Sequence, residues 1–425
     1  MTPSATTKRI LMFAPACFPP AGPEAIVNAK LVLALQQAGW SVDVIARAAY
    51  GKWYPARPEA WADLGDCVHL VPPIPQGAVR NYWTAFRSFL MSGQYRGGFR
   101  WALPAAMRAM ELASSSPYDL MLSRADPDDA HLAALMFCRR TGVPWVANWN
   151  DPLPWPRFPP PYGDGPQAVM PWWYERYLRA LARYGSWYTF PCERMRHYMM
   201  GYLPPGMAPR SSVIPHVAMR RFVVPPRQHE GFVVCHVGSL RRPRDPRVLL
   251  EGARRFAERL VPGRAFSLRF IVEKPDETLA AVRAARVEHL VRVDPPQPYD
   301  AMPEALAEAD VLVVVEAPLA EGIFLPSKFV DYVQSGRPIL TLSPREGTLP
   351  DLLRDQGGGL AVDGQSSEAV ADALVRLYDA WRQGTLDAKF GSAHLFDQFS
   401  EERVAALYAD LFAHVAASPA HGTGA

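Results

Sequence analysis

No apolar run in this chain approaches the roughly 18 residues that a membrane-crossing helix requires, so a soluble protein is expected. Cysteine is scarce. Cys17, Cys67, Cys138, Cys192 and Cys235 are odd in number, widely spaced and without a CxxC pair, which argues against a disulfide framework or a zinc site and favours a reducing cytoplasm. Excess charge is also lacking: a formal net charge of +3 disfavours a general nucleic-acid binder and leaves room only for a local basic site. The leading MTPSATTKRILMFAP has a short apolar run that passes directly into a proline-rich turn. It reads as a first strand and not as a signal peptide.

What is present is a globular composition, 49% hydrophobic and 20% charged, over 425 residues. Single cores stop growing near ~250–300 residues, so two domains are expected. The 43 prolines form no repeat and imply rigid connections throughout the loops. The strand RILMFAP leads through CFPPAGPE into the helical pattern AIVNAKLVLALQQAG and at once into a second strand, SVDVIA. Such short helix-to-strand links imply parallel strands with right-handed crossovers. YDLMLS, DPDDAHLAALMFCRRTG and PWVANWND repeat the pattern. After SSVIPHV, the stretch AMRRFVVPPRQHEG reads as a linker, and a second α/β series begins at FVVCHVGSL. It continues through a helix near 278–285 and a strand around LVRV to a final helix capped by Ser366 or Ser367. The expected architecture is α/β, two Rossmann-like doubly wound domains over 1–217 and 218–395. The segment 396–425 is a C-terminal helix able to return to the first domain, with a frayed end from Ser418.

Four segments in order, FPPAGPE, PWVANWND, CHVGSLRRPRDP and LPSKFVDYVQSGRPIL, resemble the family-4 glycosyltransferases of GT-B fold over nearly the whole chain. The resemblance implies a retaining enzyme using a nucleotide diphosphate sugar, a UDP-sugar first and a GDP-sugar second. It needs no cofactor, and the donor sits mainly on the second domain. The acceptor, a glycan, lipid-linked or small molecule, approaches from the first domain, where Gly22 belongs to the acceptor-side loop. A nucleotide-sugar epimerase or hydrolase of the same fold, or a non-catalytic nucleotide-sugar binder, is the alternative.

Candidate donor residues are Gly238, Ser239, Arg242 and Arg244 in the loop after the first strand of the second series. Glycine permits close backbone approach and arginine pairs with phosphate oxygens, whereas a plain solvated basic loop is the competing reading. Ser239 stands where the family has an Arg, so Arg242 or Arg244 would take that role. Asp331 stands where the family has a Glu on the ribose hydroxyls. Lys328, three residues earlier, falls on the same helical side, as it also would in an ordinary surface pair. The family's earlier Glu is replaced by Ile323, leaving Glu321, with Glu316 nearby, as candidates for the sugar. In the first domain Asn150 and Asp151 stand where relatives carry a His. Asp151 fits either a base for the acceptor hydroxyl or a turn before Pro152, and Arg124 is a further cleft candidate.

The acidic run DPDD at 126–129 is explained by helix capping, with Asp126 as N-cap and Pro127 at the first helical position, so no metal site is expected. His131 is read as a packing residue. The segment 80–110 alternates Arg80, Arg87, Arg96, Arg100 and Arg108 with Trp83, Phe86, Phe89, Phe99 and Trp101. Three readings stay open: peripheral contact with the inner membrane face, an acceptor-side lid, or packing with outward arginines.

Overall fold

The computed structural model describes residues 8–18, 22–48, 57–220, 224–225, 227, 230–261 and 265–417. The expected frayed end from Ser418, the leader 1–7, Pro19 to Ala21 of the acceptor-side loop and part of the linker lie outside them. Among the described residues no helix is long and apolar enough to cross a membrane.

Thirteen described strands form two sheets. The first contains β1 (Arg9–Phe13), β2 (Ser41–Arg47), β3 (Val68–Val71), β4 (Leu120–Ala125), β5 (Trp145–Trp149), β6 (Trp187–Phe190) and β7 (Ser211–Val213), in the order β3-β2-β1-β4-β5-β6-β7. The second contains β8 (Phe232–Val237), β9 (Phe266–Ile271), β10 (Val291–Asp294), β11 (Val311–Val315), β12 (Ile339–Ser343) and β13 (Gly359–Asp363), in the order β10-β9-β8-β11-β12-β13. Every neighbouring pair is parallel. Parallel strands need crossovers, and the crossover helices cover both faces, which is why β11 can read VLVVV with all five residues buried. Both sheets are doubly wound, as expected.

The helix Pro23–Gln37 starts with proline at its first position, where the missing N–H costs nothing, and stops before Gly39 at φ 88°. Its residues from Ala25 to Leu35 are all buried, because this helix lies between the first sheet and the helix Glu401–Ala417. That last helix returns from the second domain and inserts Val404, Tyr408, Leu411, Phe412 and Val415 into the core of the first. Each such buried large side chain contributes about 1.5–3 kcal/mol. The two chain crossings between the domains run side by side, with Ala218 N–H donating to Phe399 O at 2.7 Å and Ala218 bridging to Ser400.

One expected helix start needs correction. The helix after β4 runs Asp129–Thr141 with Asp128 as the preceding cap residue, so Asp126 is not its N-cap. Asp126 and Pro127 still belong to the strand-to-helix turn, which frees the Asp126 carboxyl for other company. His131 is a packing residue: its Nδ1 lies 2.7 Å from Ser123 Oγ, and its ring meets Trp149 edge-on at 4.4 Å. The later cap is as expected, Ser366 Oγ accepting from Ala369 N–H at 3.2 Å.

Candidate active site

In both sheets the strand order reverses once, between β1 and β4 in the first and between β8 and β11 in the second. Neighbouring crossovers leave in opposite directions at such a point, so a crevice opens beyond the strand ends. The two crevices face each other. Between them lies a cavity of about 400 Å³, bordered by residues that follow β1, β4 and β5 on one side and β8 and β11 on the other.

The second-domain wall is cationic and unsatisfied. Gly238 directly follows β8 at φ 103°, a conformation that favours glycine, and a Cβ there would sit 3.2 Å from Lys328 Nζ. Lys328 Nζ is buried without a hydrogen-bond partner among the described residues, as are Ser239 Oγ and Glu316 Oε2. Burial pushes the Lys328 pKa down to about 7, the nearby Arg244 guanidinium adds to this, and Asp331 opposes it. Arg244 crosses the cleft, its Nε donating to Tyr162 OH of the first domain at 3.1 Å. Buried polar groups without partners are rare, because each forfeits its hydration. Three such groups share one wall, with Arg244 near enough to Lys328 to lower its pKa.

Asp331 lines the same cavity but is differently engaged. Its Oδ1 accepts from Lys30 Nζ at 2.8 Å and from Tyr299 OH at 2.7 Å. Lys30 comes from the first-domain helix Pro23–Gln37 and also donates to Gln334 Oε1 at 2.9 Å. Asp331 and Lys328 therefore do not form the plain surface pair that their spacing allows. One is tied to the other domain, and the other waits.

The first-domain wall is acidic and internally paired. Asn150 Nδ2 donates to Glu24 Oε1 at 2.7 Å, while Arg124 Nη2 reaches Asn150 Oδ1 at 3.5 Å. Arg124 Nε donates to Asn28 Oδ1 at 2.7 Å and its Nη1 to Tyr408 OH at 3.3 Å. Arg124 lies beneath the cavity and not on its lining, so it orients Asn150. Burial raises the Glu24 carboxyl to about 8, with Arg124 opposing and Asp126 and Asp151 adding to the rise. Burial and Asp126 raise Asp151 to about 7 against the pull of Arg244. Asp126, raised by burial and by Asp128, completes a group of carboxyls that oppose one another's ionisation.

Several expected positions change. Arg242 is exposed and does not border the cavity, leaving Arg244 as the arginine of that loop which faces it. Glu321 also stands outside, paired with Arg194, which in turn donates from Nε to Asp351 Oδ2 at 2.7 Å. Glu316, at the end of β11, is the acid that enters; burial raises it to about 8. Gly22, Asn150, Asp151, Gly238, Ser239, Lys328 and Asp331 all border the cavity. In the run 126–129 the carboxylates diverge: Asp128 pairs with Arg96 and Asp129 with Arg47, while Asp126 borders the cavity.

Sequence reading missed Glu24, Lys30, Tyr299 and His216. His216 follows β7 and lines the cavity, and burial together with Arg124 and Lys30 lowers it to about 3, so it is neutral. The family resemblance puts a histidine after β5, where this chain has Asn150 and Asp151. The end of the short strand in SSVIPHV was the place to look, since all parallel strands end at the same edge.

Residues 231–380 match the family model described as glycosyl transferases group 1. The D-inositol 3-phosphate glycosyltransferase of Salinispora tropica is 28% identical over 180 residues, 40% of this chain and 35% of that protein. The chain thus spans about a third of the length of this curated relative. Among solved structures, a sucrose-phosphate synthase from Thermosynechococcus elongatus aligns with a TM-score of 0.67 at 14% identity, covering 97% of this chain and 100% of that one. HepE from Anabaena, in complex with UDP and glucose, aligns at 0.65 and 13% identity over 96% of this chain and 100% of its own. The two facing parallel sheets together make the GT-B fold, with the stretch that matches the group 1 glycosyltransferase model lying in the second domain.

Proposed function

We propose that this protein is a retaining glycosyltransferase that takes a sugar from a nucleotide diphosphate donor, a UDP-sugar before a GDP-sugar, and passes it to an acceptor hydroxyl without a metal ion. The observation that carries this reading is the buried Lys328 Nζ, without a hydrogen-bond partner among the described residues and near Arg244, in the stretch that matches the group 1 model and opposite the raised carboxyls of Glu24 and Asp151. As the bond from sugar C1 to the diphosphate oxygen breaks, charge grows on that oxygen. Lys328 and Arg244 are the cations assigned to stabilise it, and preorganised charge is worth most where water is excluded. Ser239 Oγ and Glu316 supply further polar groups for donor phosphate and sugar. Asp331 accepts hydrogen bonds from the ribose hydroxyls once Lys30 or Tyr299 releases the Oδ1 lone pair that it occupies. On the other wall, Asp151 takes or holds the acceptor proton, with Asn150 and Glu24 fixing the geometry. The five unpaired thiols support a reducing, cytoplasmic setting.

Calorimetric titration with UDP, GDP and uridine, followed by NMR of the product anomer with chelator present, tests this. Binding that requires the diphosphate, a product with the donor's anomeric configuration and indifference to chelator are expected. Activity abolished by chelator and restored by magnesium would return the carboxylates at 126–129 to consideration. Donor turnover without an acceptor would instead identify an epimerase or hydrolase, and binding without any turnover a non-catalytic receptor.

A further inference from the structure

The helix Ala78–Ser92 is amphipathic in the reverse sense. Its inward face holds Thr84, Ser88, Met91 and Ser92, all buried, while Val79, Tyr82, Trp83, Phe86 and Leu90 are each more than half exposed. Their spacing of three, four, seven and eleven residues from Val79 places all five within one stripe about 100° wide, the usual width of a core-facing stripe. Here nothing covers it among the described residues. A single exposed Leu needs no explanation, but a full stripe of aromatic and aliphatic side chains does.

Charge selects the occupant. Between Asp66 and Glu111 the sequence holds no acidic residue and five arginines. The fold turns two of these inward: Arg96 pairs with Asp128, and Arg100 donates from Nε to Ile74 O at 2.7 Å. Phe99 and Trp101 go inward with them, Trp101 being fully buried. Arg80 and Arg87 remain exposed along one flank of the stripe. Tyr82 and Trp83 are the residue types that settle at the boundary between headgroups and acyl chains, and the arginines beside them match anionic headgroups. The chain after this helix also leads to the cleft, since Gly98 packs on Asp129, three residues beyond the cavity-lining Asp126.

We propose that the outer face of the helix Ala78–Ser92 docks on an anionic lipid surface, with Val79, Tyr82, Trp83, Phe86 and Leu90 entering the interface and Arg80 and Arg87 meeting headgroup phosphates. The test is flotation of the full chain with vesicles of phosphatidylcholine alone and with added phosphatidylglycerol, at low and high salt and without donor, so glycosyl transfer plays no part. The wild type should float with the anionic vesicles. The double variant Trp83→Glu, Phe86→Glu should stay behind with an unchanged melting temperature, both side chains being exposed. Arg80→Gln with Arg87→Gln should bind about fivefold more weakly per charge removed and lose most of its salt dependence. This second pair keeps the test decisive if the glutamate variant does not fold. Failure of the wild type to float with any vesicle overturns the proposal, as does flotation that none of these substitutions weakens. A wild-type dimer that ignores vesicles and becomes monomeric in Trp83→Glu, Phe86→Glu would assign the stripe to a second copy of the chain, and would overturn it equally.

Discussion

The two walls of the cleft handle polar groups in opposite ways. On the first-domain wall Glu24, Asn150, Arg124 and Asn28 form one hydrogen-bonded chain, so that Asn150 is held before any ligand arrives. On the second-domain wall Lys328 Nζ, Ser239 Oγ and Glu316 Oε2 are buried with no hydrogen-bond partner among the described residues. A satisfied network stabilises the fold and orients a reacting group, whereas an unsatisfied one costs stability until a ligand completes it. The proposed function accordingly assigns positioning and chemistry to the first wall, and donor binding to the second. Separate substitutions can test that division.

The largest effect is expected from Asp151→Asn, which removes a carboxyl poised near neutral pH while keeping its shape. The rate should fall by about 10²–10⁴-fold, with nucleoside diphosphate affinity nearly unchanged. A parallel loss of affinity, measured by calorimetry, would break the division of labour between the walls.

Lys328→Ala should do the reverse, weakening diphosphate binding about ten- to hundredfold and nucleoside binding far less. The unliganded variant should melt no lower than the wild type, because it loses an unpaired buried charge. Its pH dependence follows from the same group. The free protein holds the ammonium at a pKa of about 7, and an anion beside it raises that value, so binding takes up a proton above neutrality. Affinity should therefore fall as pH rises from about 7 to about 9, while in Lys328→Ala that part of the slope vanishes. A wild-type affinity independent of pH would show that the ammonium does not meet the phosphates.

The smallest effects sharpen the boundary of the site. Arg242→Ala and Glu321→Ala should change donor affinity by less than about twofold. Glu321→Ala should cost no more than about 1 kcal/mol of stability, since its bridge to Arg194 is partly exposed. A large loss of donor affinity in Arg242→Ala would mean that the loop after β8 rearranges around the ligand.

Much of the cleft was legible beforehand because parallel α/β units place the residue after each strand at one edge. Gly238, Ser239 and Asp151 could thus be assigned from the ends of apolar runs. Choosing between near neighbours was not possible in this way. Arg242 and Arg244 differ by two positions in a turn, and Glu316 and Glu321 by five in a loop, where no periodicity dictates direction. The first member of one pair and the second of the other face solvent. Lys30 was hidden for a different reason: it sits in the middle of an apolar helical pattern, and its partner Asp331 is 301 residues away.

The sequence by itself determined the two doubly wound domains, the direction of their strands and the loops that border the cleft. Periodicity, capping and strand-to-helix spacing are local, and every copy of such a pattern folds alike. Only the tertiary structure decided which charges are buried together. That choice set Asp151 and Lys328 near neutrality, left Lys328 Nζ without a hydrogen-bond partner among the described residues, bound Asp331 to Lys30 and turned the aromatic stripe of Ala78–Ser92 outward. Desolvation and charge pairing depend on distances between segments far apart in the chain, and those distances exist only once both sheets and the returning helix are in place.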